Sequence, residues 1–177
     1  PVKAGILLAD RPFMSKQTPD PAPAPVAVIV LAAGLGTRMK SELPKVLHPI
    51  AGRPMIQHLL ASVDKLEPER VVVVASAGAQ NVRAAVQPHP TAVQTEQRGT
   101  GHAVLQAKQH MASFNGDVLI LFGGDPLITP ETMKRLLDRR RGDDDPAVVV
   151  LGFRPREHGL YGRLVVNGAG RLEAIVE

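Results

Sequence analysis

The chain contains no cysteine and no tryptophan, and among its 177 residues there are one tyrosine and four phenylalanines. Without cysteine there is no disulfide framework and no thiolate metal site, so thiol redox chemistry and cysteine-ligated zinc folds are excluded together. Such a chain suits a reducing, cytoplasmic setting. Aromatics at 3% leave no stacking platform of the kind single-strand binders and RNA-recognition sheets use. That weakens the nucleic-acid reading which Lys+Arg 21 against Asp+Glu 17, a net +4, would otherwise invite. Part of the basic surplus is also self-compensating, since Arg139, Arg140 and Arg141 are followed at once by Asp143, Asp144 and Asp145. No apolar run approaches the roughly 20 residues of a membrane span, so neither nucleic acid nor membrane is expected as a partner.

What is present is a globular composition, 44% hydrophobic and 21% charged. Residues 1–25 carry six prolines and end in a Pro-Ala alternation, which reads as a disordered leader. From Val26 onward, apolar runs of strand length alternate with segments of helical period. Val26 to Ala33 is continuously apolar, as expected of a parallel strand buried on both faces. Further strands are expected at Arg70 to Ala75, Ala92 to Gln94, Val118 to Phe122 and Ala147 to Phe153. Helices are expected from Pro54 to Val63, at about 81–86, from Thr100 to Met111, and from Pro130 to Arg141 behind an N-cap at Thr129. Tyr161 to Val166 and Arg171 to Val176, around Asn167-Gly168-Ala169-Gly170, read as a hairpin. The alternation implies an α/β domain over 26–177 with a mostly parallel sheet covered on both faces. Its binding crevice should lie at the carboxyl ends of the strands.

That rule singles out Gly34-Leu35-Gly36-Thr37-Arg38-Met39, the loop after the first strand. Two glycines permit a tight turn that aims several N–H groups at one anion, and Arg38 and Lys45 supply charge for a phosphate. The loop is not a P-loop, because no Gly-Lys-Ser/Thr follows. Nor is it the dinucleotide fingerprint, because Met39 stands where a third glycine is needed.

The longer run Leu31-Ala32-Ala33-Gly34-Leu35-Gly36-Thr37-Arg38-Met39, with Leu43-Pro44-Lys45-Val46-Leu47, resembles the signature of sugar-nucleotide nucleotidyltransferases, in particular the bacterial N-acetylglucosamine-1-phosphate uridyltransferases. Gln94-Thr95-Glu96-Gln97-Arg98-Gly99-Thr100-Gly101-His102-Ala103 is similar to that family's uracil-reading segment. Leu121-Phe122-Gly123 with Pro126-Leu127-Ile128 resembles its metal-strand segment, and Tyr161-Gly162-Arg163 and Ile175-Val176-Glu177 resemble its sugar-binding elements. The resemblance implies a Rossmann-like, glycosyltransferase-A-like three-layer sandwich. It also implies transfer of uridylyl from UTP to N-acetylglucosamine 1-phosphate, giving UDP-N-acetylglucosamine and pyrophosphate with Mg2+ as cofactor, for cell-envelope precursor synthesis. In this reading Arg38 stabilises the leaving group and Lys45 sits on the phosphates. Leu31, Ala32, Ala33, Gly34, Gln94, Gly99 and Thr100 bind the nucleotide, Gly162 and Glu177 hold the sugar, and Asp125 binds the metal. His102 reads as structural, and the remaining histidines show no ligand spacing. A related nucleotidyltransferase with another base or acceptor, such as a cytidylyltransferase or a molybdenum-cofactor guanylyltransferase, and a non-catalytic nucleotide-binding module both remain open.

Two features depart from the family pattern. Where the family has Gly-Asp-x-Pro, this chain has Gly123-Gly124-Asp125-Pro126, so the carboxylate stands one place later. In a regular strand that shift turns it to the opposite face, whereas a bulge at the paired glycines restores its direction. The family's uridyltransferase domain also continues past the position of Glu177 and is followed by a left-handed β-helix that acetylates glucosamine 1-phosphate and builds a trimer. The chain therefore reads as an incomplete N-terminal portion, with neither acetyltransferase activity nor trimer expected of it.

Overall fold

The structure is a computed structural model that describes residues 24–34, 36, 39–157, 159 and 161–176, together with the backbone of 4–8. In chain order the elements are β1 (Ala4–Leu8), β2 (Val26–Leu31), a single 3-10 turn (Lys45–Leu47), β3 (Pro49–Ile50), β4 (Arg53–Pro54) and α1 (Met55–Asp64). They continue with β5 (Arg70–Ser76), α2 (Gln80–Ala85), β6 (Thr91–Gln94), α3 (Thr100–Gln106), a second 3-10 turn (Lys108–Met111) and β7 (Asp117–Phe122). The last are α4 (Pro130–Arg140), β8 (Val148–Gly152), β9 (Arg163–Val166) and β10 (Leu172–Val176). They fall into two compact units, one of residues 20–130 and one of residues 1–19 with 131–177.

The first unit is built on a four-stranded sheet in the order β6-β5-β2-β7, parallel throughout. β2 lies inside it, and its Ala27, Val28, Ile29 and Val30 are buried to within 3%. The continuous apolar run is what a strand with covered faces requires. Ile29, Val72 and Val74 pack in one cluster with Ala92 and with Ala103 and Ala107 at α3. Alternation turns Val28, Val30, Val73 and Ala75 to the other face, where they are also fully buried. In the same unit α1 carries the buried apolar stripe Ile56, Leu59, Leu60 and Val63, and α2 buries Val82.

β7 differs from its expected two-sided burial. Its odd positions Leu119 and Leu121 are buried, while Val118, Ile120 and Phe122 are 45–51% exposed. The strand stands at the end of the four-strand order, and an apolar run does not by itself distinguish a central strand from a terminal one. Its first rung depends on Gly116. The Asp117 N–H donates to the Pro25 carbonyl at 2.9 Å, and a Cβ on residue 116 would collide with that same oxygen and come within 2.8 Å of Cζ of Phe114. Gly116→Ala is therefore expected to destabilise the fold by about 1–3 kcal/mol, the range for overpacking a fixed site. An unchanged thermal melting curve would contradict this.

In the second unit β1 pairs with β8 in parallel, Ala4 opposite Val148 and Leu8 opposite Gly152. This corrects the reading of 1–25 as a leader without structure. The prolines dominate that segment's composition, but Ala4-Gly5-Ile6-Leu7-Leu8 is a proline-free apolar stretch of strand length. β9 and β10 form the expected antiparallel hairpin, with the Asn167 side chain accepting from the N–H groups of Ala169 and Arg171 at 3.0 Å each. The charge run behaves as its order suggested. Arg139 and Asp144 form a two-pronged pair at 2.6 and 2.9 Å, and Arg140 meets Asp145 at 2.6 Å. The hydrogen bonds that Arg139 donates to Asp144 hold the guanidinium pKa above its ordinary value. Among the described residues, no helix is long and apolar enough to cross a membrane.

Candidate nucleotide site

At the carboxyl ends of β2, β6 and β7 a cavity of about 320 Å³ opens in the first unit. β2 ends there as Leu31, Ala32, Ala33 and Gly34, which form one wall. β6 ends there as Gln94, and the loop that follows delivers Gly99 and Thr100 at the start of α3. All seven expected nucleotide-binding residues thus line one space, although they come from segments about 60 residues apart. Lys45 and Gly36 of the glycine loop join them, as do Val46, Gln97, Ala103, Phe122 and Gly124, none of which the sequence singles out as a site residue. Gln97 and Gly124 lie inside quoted motifs, so spacing within those motifs was the signal available for them. Val46, Ala103 and Phe122 also lie inside quoted motifs, but an apolar side chain there gave no chemistry to single it out.

The wall from β2 is held by its backbone. The Ala32 N–H donates to the Val74 carbonyl at 2.8 Å, and the Leu31 carbonyl accepts from the Gly123 N–H at 2.8 Å. The N–H of Ala32 is therefore committed to the sheet, whereas those of Ala33 and Gly34 make no bond among the described residues. Gly36 follows with a φ of +61°, in the left-handed region that a glycine enters without strain.

Lys45 is positioned by its neighbours in sequence. Pro44 precedes the 3-10 turn, the Leu47 N–H donates back to the Pro44 carbonyl at 2.8 Å, and buried Val46 and Leu47 anchor the turn in the core. The lysine then runs between two glycines. A Cβ on Gly36 would stand 2.9 Å from Cβ of Lys45, and a Cβ on Gly124 would stand 2.8 Å from its Nζ. Glycine at 36 clears the base of the side chain and glycine at 124 clears its tip. Among the described residues no ion pair engages the ammonium, and Lys45 is the sole charged side chain of the lining. Such a cavity, with one cation and several backbone N–H groups, suits an anionic ligand.

Gln94 is 2% exposed, the one buried polar side chain among the described residues. Its Nε2 donates to the Gly99 carbonyl at 3.3 Å and lies 3.1 Å from Nδ1 of His102. His102, read from the sequence as structural, is thus half-buried behind the cavity wall and in contact with a lining residue.

Asp125 does not follow either geometry expected for it. β7 ends at Phe122, and the Asp125 N–H donates to the Phe122 carbonyl at 3.0 Å, so 122–125 is a turn rather than a strand or a bulge. Strand alternation therefore says nothing about where its carboxylate points. Asp125 is exposed, adjoins the lining residue Gly124, and has no side-chain partner among the described residues. No group of three or more His, Asp or Glu residues able to cage a metal occurs among them either. One unpartnered carboxylate beside a cavity that suits an anion nevertheless fits a magnesium-type cation, which takes one or two carboxylates and fills its shell from substrate oxygens and water. Arg38 and Glu177 lie outside the described residues. Gly162 is exposed and belongs to the second unit, just before β9.

The MobA-like NTP transferase domain family matches residues 28–174. Bifunctional protein GlmU of Paramagnetospirillum magneticum is 60% identical over 147 residues, covering 83% of this chain and 32% of that protein. Bifunctional protein GlmU of Rhodospirillum rubrum is 57% identical over the same length, covering 83% and 33%. The chain thus spans about a third of the length of these relatives. In fold it is similar to HddC from Yersinia pseudotuberculosis, solved with GMP-PN, at a TM-score of 0.65 and 23% identity over 85% of this chain and 68% of that one. Rv0371c from Mycobacterium tuberculosis superposes with a TM-score of 0.57 at 22% identity, over 66% of this chain and 61% of that one. By the extent of the family match and by the α/β fold with its parallel sheet, the chain belongs to the MobA-like NTP transferase domain family, a family of nucleotidyltransferases.

Proposed function

We propose that this chain carries the nucleotide-transfer site of an N-acetylglucosamine-1-phosphate uridyltransferase. The observation that carries the reading is the convergence of Leu31 to Gly34, Gln94, Gly99 and Thr100 with Lys45 around one cavity. The identity of 57–60% to the two GlmU relatives supports the same reading. In the reaction a phosphate oxygen of N-acetylglucosamine 1-phosphate attacks the α-phosphorus of UTP. The new P–O bond forms as the bond to the β-phosphate oxygen breaks, and pyrophosphate leaves with that electron pair. The nucleophile is already an oxyanion, so no general base and no covalent enzyme intermediate are needed. Positioning and charge stabilisation supply the rate.

Lys45 holds the phosphates from the 3-10 turn, joined by Arg38 from the glycine loop. The N–H groups of Ala33 and Gly34, with the Gln94 side chain, take the base. The resemblance assigns the sugar to Gly162 and Glu177. Asp125 is the residue that would hold Mg2+, which when bound neutralises phosphate charge. The test is pyrophosphate release from UTP and N-acetylglucosamine 1-phosphate, with and without magnesium, beside CTP and GTP. Release that needs both substrates and magnesium, fastest with UTP, is expected. Preference for GTP or CTP would replace the uridylyl reading, and UTP binding without release would leave a nucleotide-binding module.

A further inference from the structure

The amide of Gln94 has two polar ends, and which of them meets a base decides which base fits. Its nitrogen faces the Gly99 carbonyl at 3.3 Å and Nδ1 of His102 at 3.1 Å. An amide nitrogen only donates, so Nδ1 is an acceptor and a neutral imidazole carries its proton on Nε2. Both amide hydrogens are then committed, and Oε1 is the polar atom left over. It is not sealed in protein, because the one buried side-chain nitrogen or oxygen without a partner among the described residues is Nε of Arg83. Gln94 lines the cavity, so what it offers there is an acceptor.

The reverse orientation is closed twice. Turning the amide over would set Oε1 against the Gly99 carbonyl oxygen and against the Nδ1 lone pair, a loss at both contacts. On the far side of the ring, Nε2 of His102 lies 3.2 Å from Nε2 of Gln106, which also donates to the His102 carbonyl at 3.0 Å. An imidazole flanked by an amide nitrogen at each ring nitrogen accepts from just one of them when neutral. The Gln94 nitrogen, in a side chain 2% exposed, cannot withdraw from the ring, whereas Gln106, half-buried one turn along α3, keeps its bond to the His102 carbonyl and is the amide free to draw its nitrogen away from the imidazole N–H.

We propose that His102 is a positioning residue for base selection: by accepting at Nδ1 it locks the Gln94 amide with its oxygen toward the cavity. The site then takes a base that offers a ring N–H at that point, as uracil does at N3, and rejects one that offers a lone pair there, as cytosine does at N3. This deepens the uridylyl reading and rests on it.

The experiment is calorimetric binding of UTP and CTP to the full chain and to three variants, with thermal melts alongside. The native chain binds UTP more tightly. His102→Leu removes the acceptor and frees the amide to turn, and the ratio of the CTP to the UTP dissociation constant falls about tenfold, the scale of one hydrogen bond. His102→Asn, whose Oδ1 stands close to the position of Nδ1, keeps the ratio. His102→Gln, whose amide reaches toward Nε2 instead, loses it. The Asn and Gln forms differ by one methylene, so their comparison holds even if the leucine form folds poorly. A native preference that survives in both the Leu and Gln forms, or that falls equally in the Asn and Gln forms, overturns the role of His102 and leaves the uridylyl reading standing. A native chain with no preference for UTP overturns that reading, and the inference with it.

Discussion

Lys45→Met is expected to lower kcat/KM for nucleotidyl transfer by about 10²–10³-fold, the loss typical of removing one preorganised charge from a developing anion. Methionine keeps most of the apolar stem and removes the ammonium, so the change isolates charge from packing. The effect should be large because Lys45 is the sole charged side chain among the described residues lining the cavity. It should also be local, because buried Val46 and Leu47, not Lys45, anchor the 3-10 turn. The melting temperature is accordingly expected to stay within a degree or two of native. Gly36→Ala provides an intermediate case. It places a methyl group 2.9 Å from Cβ of Lys45 at a φ of +61°, displacing the base of the same side chain while the charge remains. Left-handed backbone at a residue with a Cβ adds about 1–2 kcal/mol of strain, so both activity and stability should fall there. Pyrophosphate release and melting curves on the two variants separate the cases. Native turnover in Lys45→Met would remove the lysine from the reaction.

Much of this site could be read in the sequence because chemistry and local structure coincide at strand ends. Val26 to Ala33 announces a buried parallel strand, and the glycines that follow mark the place where such a sheet binds ligands. The rest depends on pairing between distant segments, which residue order does not display. Nothing local to Gly124 says that it clears the tip of Lys45, 79 positions earlier, and nothing local to His102 says that it faces the amide of Gln94. The proline count of 1–25 hid a five-residue strand, because composition averages over the segment while pairing with Val148–Gly152 needs only Ala4–Leu8. The strand rule failed at Asp125 for a related reason. The Phe122 carbonyl captures the Asp125 N–H, and a turn closed by backbone groups leaves no signature in side-chain alternation.

That turn sets up the second large effect. Asp125→Asn is expected to reduce magnesium-dependent turnover by at least about 10²-fold, the scale on which loss of a catalytic metal's carboxylate is felt, with the fold unchanged. The substitution preserves volume, and the carboxylate has no partner among the described residues, so no internal contact is lost with its charge. An apparent magnesium requirement displaced to higher concentration, measured by titrating the metal at saturating UTP, would mark the loss as one of cation affinity. The exchanged pair Gly124→Asp with Asp125→Gly then locates the cation. A side chain at 124 begins 2.8 Å from Nζ of Lys45, so an aspartate there meets the ammonium directly and neutralises the cavity's charged group. If Asp125 is the ligand, the exchanged form loses activity on two counts, since the metal's carboxylate is gone and Lys45 is paired. Its turnover should then fall at or below that of Asp125→Asn. Activity above native in the exchanged form would place the cation at position 124, and native activity in Asp125→Asn would remove the carboxylate from the metal site altogether.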